Sequence, residues 1–163
     1  MGDARSSVVA QSGDMKKSLN HLLGAAFAYA IAGVLSGLFF RELTKVVDFP
    51  SGEFTQLGLA HTHLLVLGFI PFLIFMALER LFAMSQTGAS YRWFLWTYHL
   101  GLIITSGMLI THGTLTVLGK ESNAMISGIA GIGHILLTVA FVMLFVVLRK
   151  AIKRVPERAE VSA

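Results

Sequence analysis

The chain has 163 residues, 55% hydrophobic and 13% charged, and a mean hydropathy of +0.71, which excludes an ordinary water-soluble domain. It has no cysteine, so disulfides, thiolate metal sites, iron–sulfur clusters and heme attached through C-x-x-C-H are ruled out. The formal net charge of +4 lies at segment ends and calls for no nucleic-acid partner.

Residues 1–18 are polar without a hydrophobic period and read as a loosely ordered tail. Four apolar stretches follow, at about Leu19 to Phe40, Leu57 to Leu78, Phe94 to Leu118 and Met125 to Leu148. Each has roughly the 20 helical residues that cross a hydrocarbon core. The first is too long for a signal-peptide core and shows no cleavage context. The connection from Arg41 to Gln56 contains the turn signal Phe49-Pro50-Ser51-Gly52. Within the second stretch, Pro71 removes one backbone hydrogen bond and predicts a kink. The connection Gly119 to Asn123 is so short that the third and fourth helices must be antiparallel neighbours. Residues 149–163 form a basic tail suited to anionic headgroups. The fold expected is an all-α membrane protein, one up-down bundle of four transmembrane helices over 19–148.

Lysine and arginine predict the orientation. Ten of them fall in the N-terminal tail, the second connection and the C-terminal tail, whereas the other two connections hold only Arg41, Lys45 and Lys120. By the positive-inside rule both termini are cytoplasmic; the location expected is a bacterial inner membrane. Glycines recur on the helices, among them Gly33 and Gly37, Gly101 and Gly107, and Gly128, Gly131 and Gly133. In lipid such positions let backbones approach closely, between helices or against a flat ligand.

All six histidines fall in or beside the helices. His21 and His99 lie near the cytoplasmic boundary and read as interfacial side chains bonded to backbone or water. His61, His63, His112 and His134 lie roughly 6 to 14 Å below the outer boundary at 1.5 Å per residue, one layer on three helices. His61 and His63 are two positions apart, which turns them roughly 200° from each other, so they suit two different sites flanking one helix. No acidic residue sits mid-helix, so a carboxylate cage for a hard cation is not expected. Neutral imidazoles in a cysteine-free apolar bundle suit heme iron, copper or zinc. Zinc would need three or four converging ligands, which His61 and His63 cannot both supply. Heme b fits a chain with 12 Phe and many glycines, and His112 with His134 is a candidate distal or copper site.

The stretch Ala32-Gly33-Val34-Leu35-Ser36-Gly37-Leu38-Phe39-Phe40-Arg41-Glu42-Leu43, followed by a loop and Ala60-His61, resembles the first two helices of the catalytic subunit of heme-copper oxidases and nitric oxide reductases. There a Gly-rich helix ends in Arg, and the next carries an axial heme histidine near its outer end and a Pro like Pro71. The run His61-Thr62-His63-Leu64-Leu65-Val66-Leu67-Gly68 is similar to another helix of the same subunits, whose H-x-H pair serves two hemes. Thr111-His112-Gly113 is reminiscent of the copper-binding helix, with one histidine where the family has a pair. No equivalent of the family's redox-active Tyr is evident.

That subunit is built from three arcs of four helices, and this chain has the length of one. The resemblance therefore implies a homotrimer with bis-His heme b shared between neighbours through His61 and His63, and electron transfer rather than dioxygen reduction. Its electron donor would be a quinone or a cytochrome. Two other readings stand beside it: a small copper or zinc transporter with histidines along a polar path, and a structural or assembly subunit whose histidines hydrogen-bond between helices.

Overall fold

The computed structural model describes residues 2–154, with side chains from Ser12 onward. The basic tail expected at 149–163 is therefore described only as far as Arg154; the remainder lies outside the described residues. Helix α1 spans Gly2–Val46, α2 Leu57–His63, α3 Ile70–Phe82, α4 Ala89–Val117 and α5 Ala124–Ile152. A π-helical segment, Leu64–Phe69, joins α2 to α3 without a break, and a 3-10 turn, Met84–Thr87, leads into α4. Four helices are thus long and apolar enough to cross a membrane, with Leu57–Phe82 counting as one.

Two of these elements differ from the sequence expectation. The segment read as a tail is helical from Gly2, and Ser18 is buried with its hydroxyl 2.6 Å from that of Tyr91. A polar segment holds a helix when its last turns have a neighbour to pack on, and the start of α4 provides one. Pro71 produces a π-helical stretch as well as removing a hydrogen bond. The Ile70 amide bonds to Leu65 O, five residues back, as the chain widens to admit the proline ring.

The helices form an open row rather than a closed bundle. The dense interfaces are α1 with the α2–α3 helix, α2 with α4, and α4 with α5, while among the described residues α1 and α5 do not approach each other. Glycines set the close approaches. Gly33 lies under Leu64 and Leu65, Gly68 under Tyr29, Gly101 against the backbone of Leu137, and Gly133 against Thr105. Gly113 is the tightest, since a Cβ there would fall 2.0 Å from the amide nitrogen of Leu57. At Gly107, Gly128 and Gly131, grouped with them in the sequence, an added Cβ would meet no other part of the described chain within 4 Å.

Large side chains bury unevenly along the row. Tyr29, Phe72, Phe75, Phe94 and Tyr98 interlock with ring centroids 5.1 to 5.9 Å apart, in tilted and edge-on pairs. This aromatic core fills the half of the molecule toward the basic ends of the helices. Three of the 12 phenylalanines counted toward a ligand slot, Phe72, Phe75 and Phe94, are therefore spent on packing away from His61 and His63. Below the core, Glu79 is fully buried, and its carboxylate accepts from the Ser85 amide at 2.8 Å and the Ser85 hydroxyl at 2.5 Å. Arg154, just past α5, also holds the turn that Glu79 braces, its Nη1 donating to Gln86 O, and Lys150 of α5 donates to the Ser90 hydroxyl at the start of α4 at 2.7 Å.

Candidate functional site

The contact of Leu57 with Gly113 fixes the relative height of the histidines at the other end. His61 and His63 lie four and six residues below Leu57, about 6 and 9 Å at 1.5 Å per residue. His134 follows Gly133, which packs on Thr105 eight residues below Gly113, so it sits about 12 Å down. His112 is level with the top contact. The four histidines do occupy one half of the molecule, within about 12 Å of height.

His61 and His63 leave their helix on different flanks. His61 stands over Gly37 of α1, its Cβ 3.5 Å from where a glycine Cβ would be. Its Nδ1 is buried without a hydrogen-bond partner, and its Nε2 has only a 3.4 Å approach from the neighbouring Thr62 hydroxyl. His63 shares the opposite flank with Gln56, seven residues and two turns earlier. The Nδ1 of His63 is 3.0 Å from Leu59 O. A carbonyl only accepts, so in the neutral ring Nδ1 carries the proton and Nε2 presents a lone pair. Such an N–H to backbone bond is the support that orients a metal-binding imidazole.

His112 and His134 come together. They line one cavity of about 280 Å³ between α4 and α5, with Gln56, Thr105, Ser127 and Gly131 also on its wall. His134 Nδ1 lies 2.9 Å from Ala130 O, which again leaves Nε2 as a lone-pair donor. His112 Nδ1 and the hydroxyl of Thr105, a residue 1% exposed, are both buried without a partner. Buried polar atoms on a cavity wall call for an occupant that can bond them. The cavity suits a hydrated ion or a few small molecules and is too small for a porphyrin. Among the described residues no three His, Asp or Glu side chains converge to hold a metal ion by themselves.

His21 and His99 correct the sequence reading. Rather than the backbone they bond each other and a tyrosine: their Nε2 atoms are 3.2 Å apart, and His99 Nδ1 is 2.7 Å from the hydroxyl of buried Tyr29. Tyr29 also stacks on the His99 ring at a centroid distance of 5.7 Å. A signal for this cluster was present in the sequence. The first and third helices run in the same direction, and His21 and His99 lie two and five residues in from their predicted starts, about 3 and 8 Å from one boundary.

Fold and site together define an all-helical protein with four membrane-length helices and two separate tiers of histidine. A family model described as "Protein of unknown function (DUF2871)" matches residues 15–151, and the chain belongs to that family. No curated protein and no solved structure matches it.

Proposed function

We propose that the protein is a heme-b-binding, multi-pass membrane protein related to the catalytic subunit of heme-copper oxidases. His61 and His63 are the axial ligands of two different hemes, each shared with a neighbouring copy in a closed homotrimer. Both termini face the cytoplasm of a bacterial cell, and a quinol or a cytochrome supplies the electrons. One observation carries the reading: His61 and His63 lie on opposite flanks of one helix, each with a ring nitrogen that no protein group satisfies.

The donor set favours heme over a bare metal ion. A porphyrin brings four equatorial nitrogens and asks one or two side chains of the protein, whereas a structural zinc site asks four. When bound, heme supplies an iron that takes up and releases one electron. The chain's own part is to hold His61 over the side-chain-free surface of Gly37 and to lock the His63 ring through Leu59 O. The open row supports the closed homotrimer, since the outer sides of α1 and α5 are left uncovered by the chain itself.

A second feature belongs to this reading. The cavity under His112 and His134, with the unpartnered Thr105 hydroxyl, is the place for a copper ion or a diatomic gas beside the heme tier.

Oxidised and reduced absorption spectra of the protein, purified after expression with ample heme, test the proposal. A Soret band that is lost in both His61→Ala and His63→Ala is expected, because each iron needs one of each. A colourless wild-type protein would sink the heme reading. If that protein carried copper or zinc, the transporter reading would replace it.

A further inference from the structure

A second cavity lies at the other end of the molecule from the histidine tier of His61 and His63. It is a cleft of about 770 Å³ between α1 and α4, within the size range of sites for small organic ligands. One wall is the α1 stripe Asp14, Lys17, Ser18 and His21; the other is the α4 stripe Arg92, Leu95, Trp96, His99 and Ile103. These spacings of three and four residues each place one face of a helix on the cleft.

The two helices run in the same direction, so the walls rise together and their chemistry changes in step. Lys17 and Arg92 stand at the entrance, and neither has an ion-pair partner among the described residues. With Asp14 beside them, the entrance carries one net positive charge. The His21–His99 pair comes next, four residues above Lys17, or about 6 Å. Leu95, Trp96 and Ile103 supply the apolar surface that continues into the span.

We infer that this cleft binds a glycerophospholipid with a net negative head. The phosphate meets Lys17 and Arg92, an ester carbonyl accepts an N–H from the His21–His99 pair, and one acyl chain lies along Trp96 and Ile103. A phosphodiester carries the single negative charge that the entrance lacks. Its ester oxygens lie one glycerol unit deeper, at the height of the imidazoles. Tyr29 acts as a positioning residue, since its hydroxyl fixes the His99 ring toward His21. A free anion would use the cations and leave both the imidazole pair and the apolar wall without a role.

The chain has two tryptophans, so in a Trp93→Phe background Trp96 reports alone. That protein is reconstituted in vesicles of phosphatidylcholine doped with brominated phosphatidylglycerol or brominated phosphatidylcholine, and quenching of Trp96 is compared. Stronger quenching by the anionic lipid is expected, with a preference of about fivefold per cation. Lys17→Ala with Arg92→Ala should abolish the preference while circular dichroism stays unchanged. His99→Phe should weaken it and leave the cations in place. Equal quenching by the two lipids in the otherwise unaltered protein overturns the inference. So does loss of the preference on adding inorganic phosphate at constant ionic strength, which would assign the entrance to a free anion.

Discussion

The hydroxyl of Tyr98 donates to the carbonyl of Leu67 at 2.9 Å, and that carbonyl is the one whose α-helical donor would be the amide of residue 71. Residue 71 is proline and has no amide proton. A side chain from α4 therefore replaces the hydrogen bond that the second membrane helix loses. The proline and the tyrosine form one device, although they are 27 positions apart in the chain.

Tyr98→Phe leaves the Leu67 carbonyl without that donor inside the aromatic core, and the expected cost is about 1–3 kcal/mol. Pro71→Ala restores an amide at residue 71, so Tyr98→Phe should cost less in that background. Unfolding in mixed micelles, run as a double-mutant cycle, measures the difference. Equal costs in the two backgrounds would show that the tyrosine is not compensating for the proline.

The glycines divide into two groups that should respond oppositely to alanine. Gly113→Ala drives a methyl into the Leu57 backbone and Gly133→Ala drives one into Thr105, so both should destabilise by about 1–3 kcal/mol or more. Gly128→Ala meets nothing within 4 Å and should stabilise its helix by about 0.4–1 kcal/mol. Thermal midpoints of the three variants decide the matter, and a destabilised Gly128→Ala would point to a neighbour outside the chain.

The cavity under His112 and His134 should act separately from the His61 and His63 flanks. After copper loading and gel filtration, the wild-type protein should retain metal, and His112→Ala and His134→Ala should each lose it with the Soret band intact. Unchanged copper in either variant would remove that residue from the site. Reduced-protein spectra with carbon monoxide add a second reading, since a shift marks an iron with an open face.

Glu79 should hold the turn from Ala83 to Gly88. Glu79→Ala leaves the Ser85 amide and hydroxyl without their acceptor, at a cost of about 1–3 kcal/mol. Ser85→Ala should cost less, because the backbone N–H remains. Faster amide exchange at Ser85 in Glu79→Ala is the expected sign; unchanged protection would mean that the contact from Arg154 suffices.

Much of this arrangement was legible from local chemistry. Hydropathy marked four membrane-length helices, and the short Gly119–Asn123 connection implied the α4–α5 pairing. The 200° between His61 and His63 divides them between two flanks on helical geometry alone. The helical state of residues 2–18 was not legible, because it depends on Ser18 meeting Tyr91, 73 positions away. The His21–His99 pair is hidden for a related reason: the depth of each histidine along its own helix carries no sign of the other. Only the side-by-side packing of parallel helices turns two boundary residues into one hydrogen-bonded pair.

The widened stretch Leu64–Phe69 has a further effect on the helix that carries the histidines. The buried positions of that helix are Leu57, Ala60, Leu64, Gly68, Phe72, Phe75 and Glu79, with three steps of four in succession from Ala60 to Phe72. At 100° per residue a step of four overshoots a full turn by about 40°, so three of them would carry the seam about 120° around a regular helix. The wide turn absorbs that drift and keeps the histidine tier and the aromatic tier in angular phase. The azimuth of His61 toward α1, and of His63 away from it, is thus set by a proline eight residues beyond the second histidine.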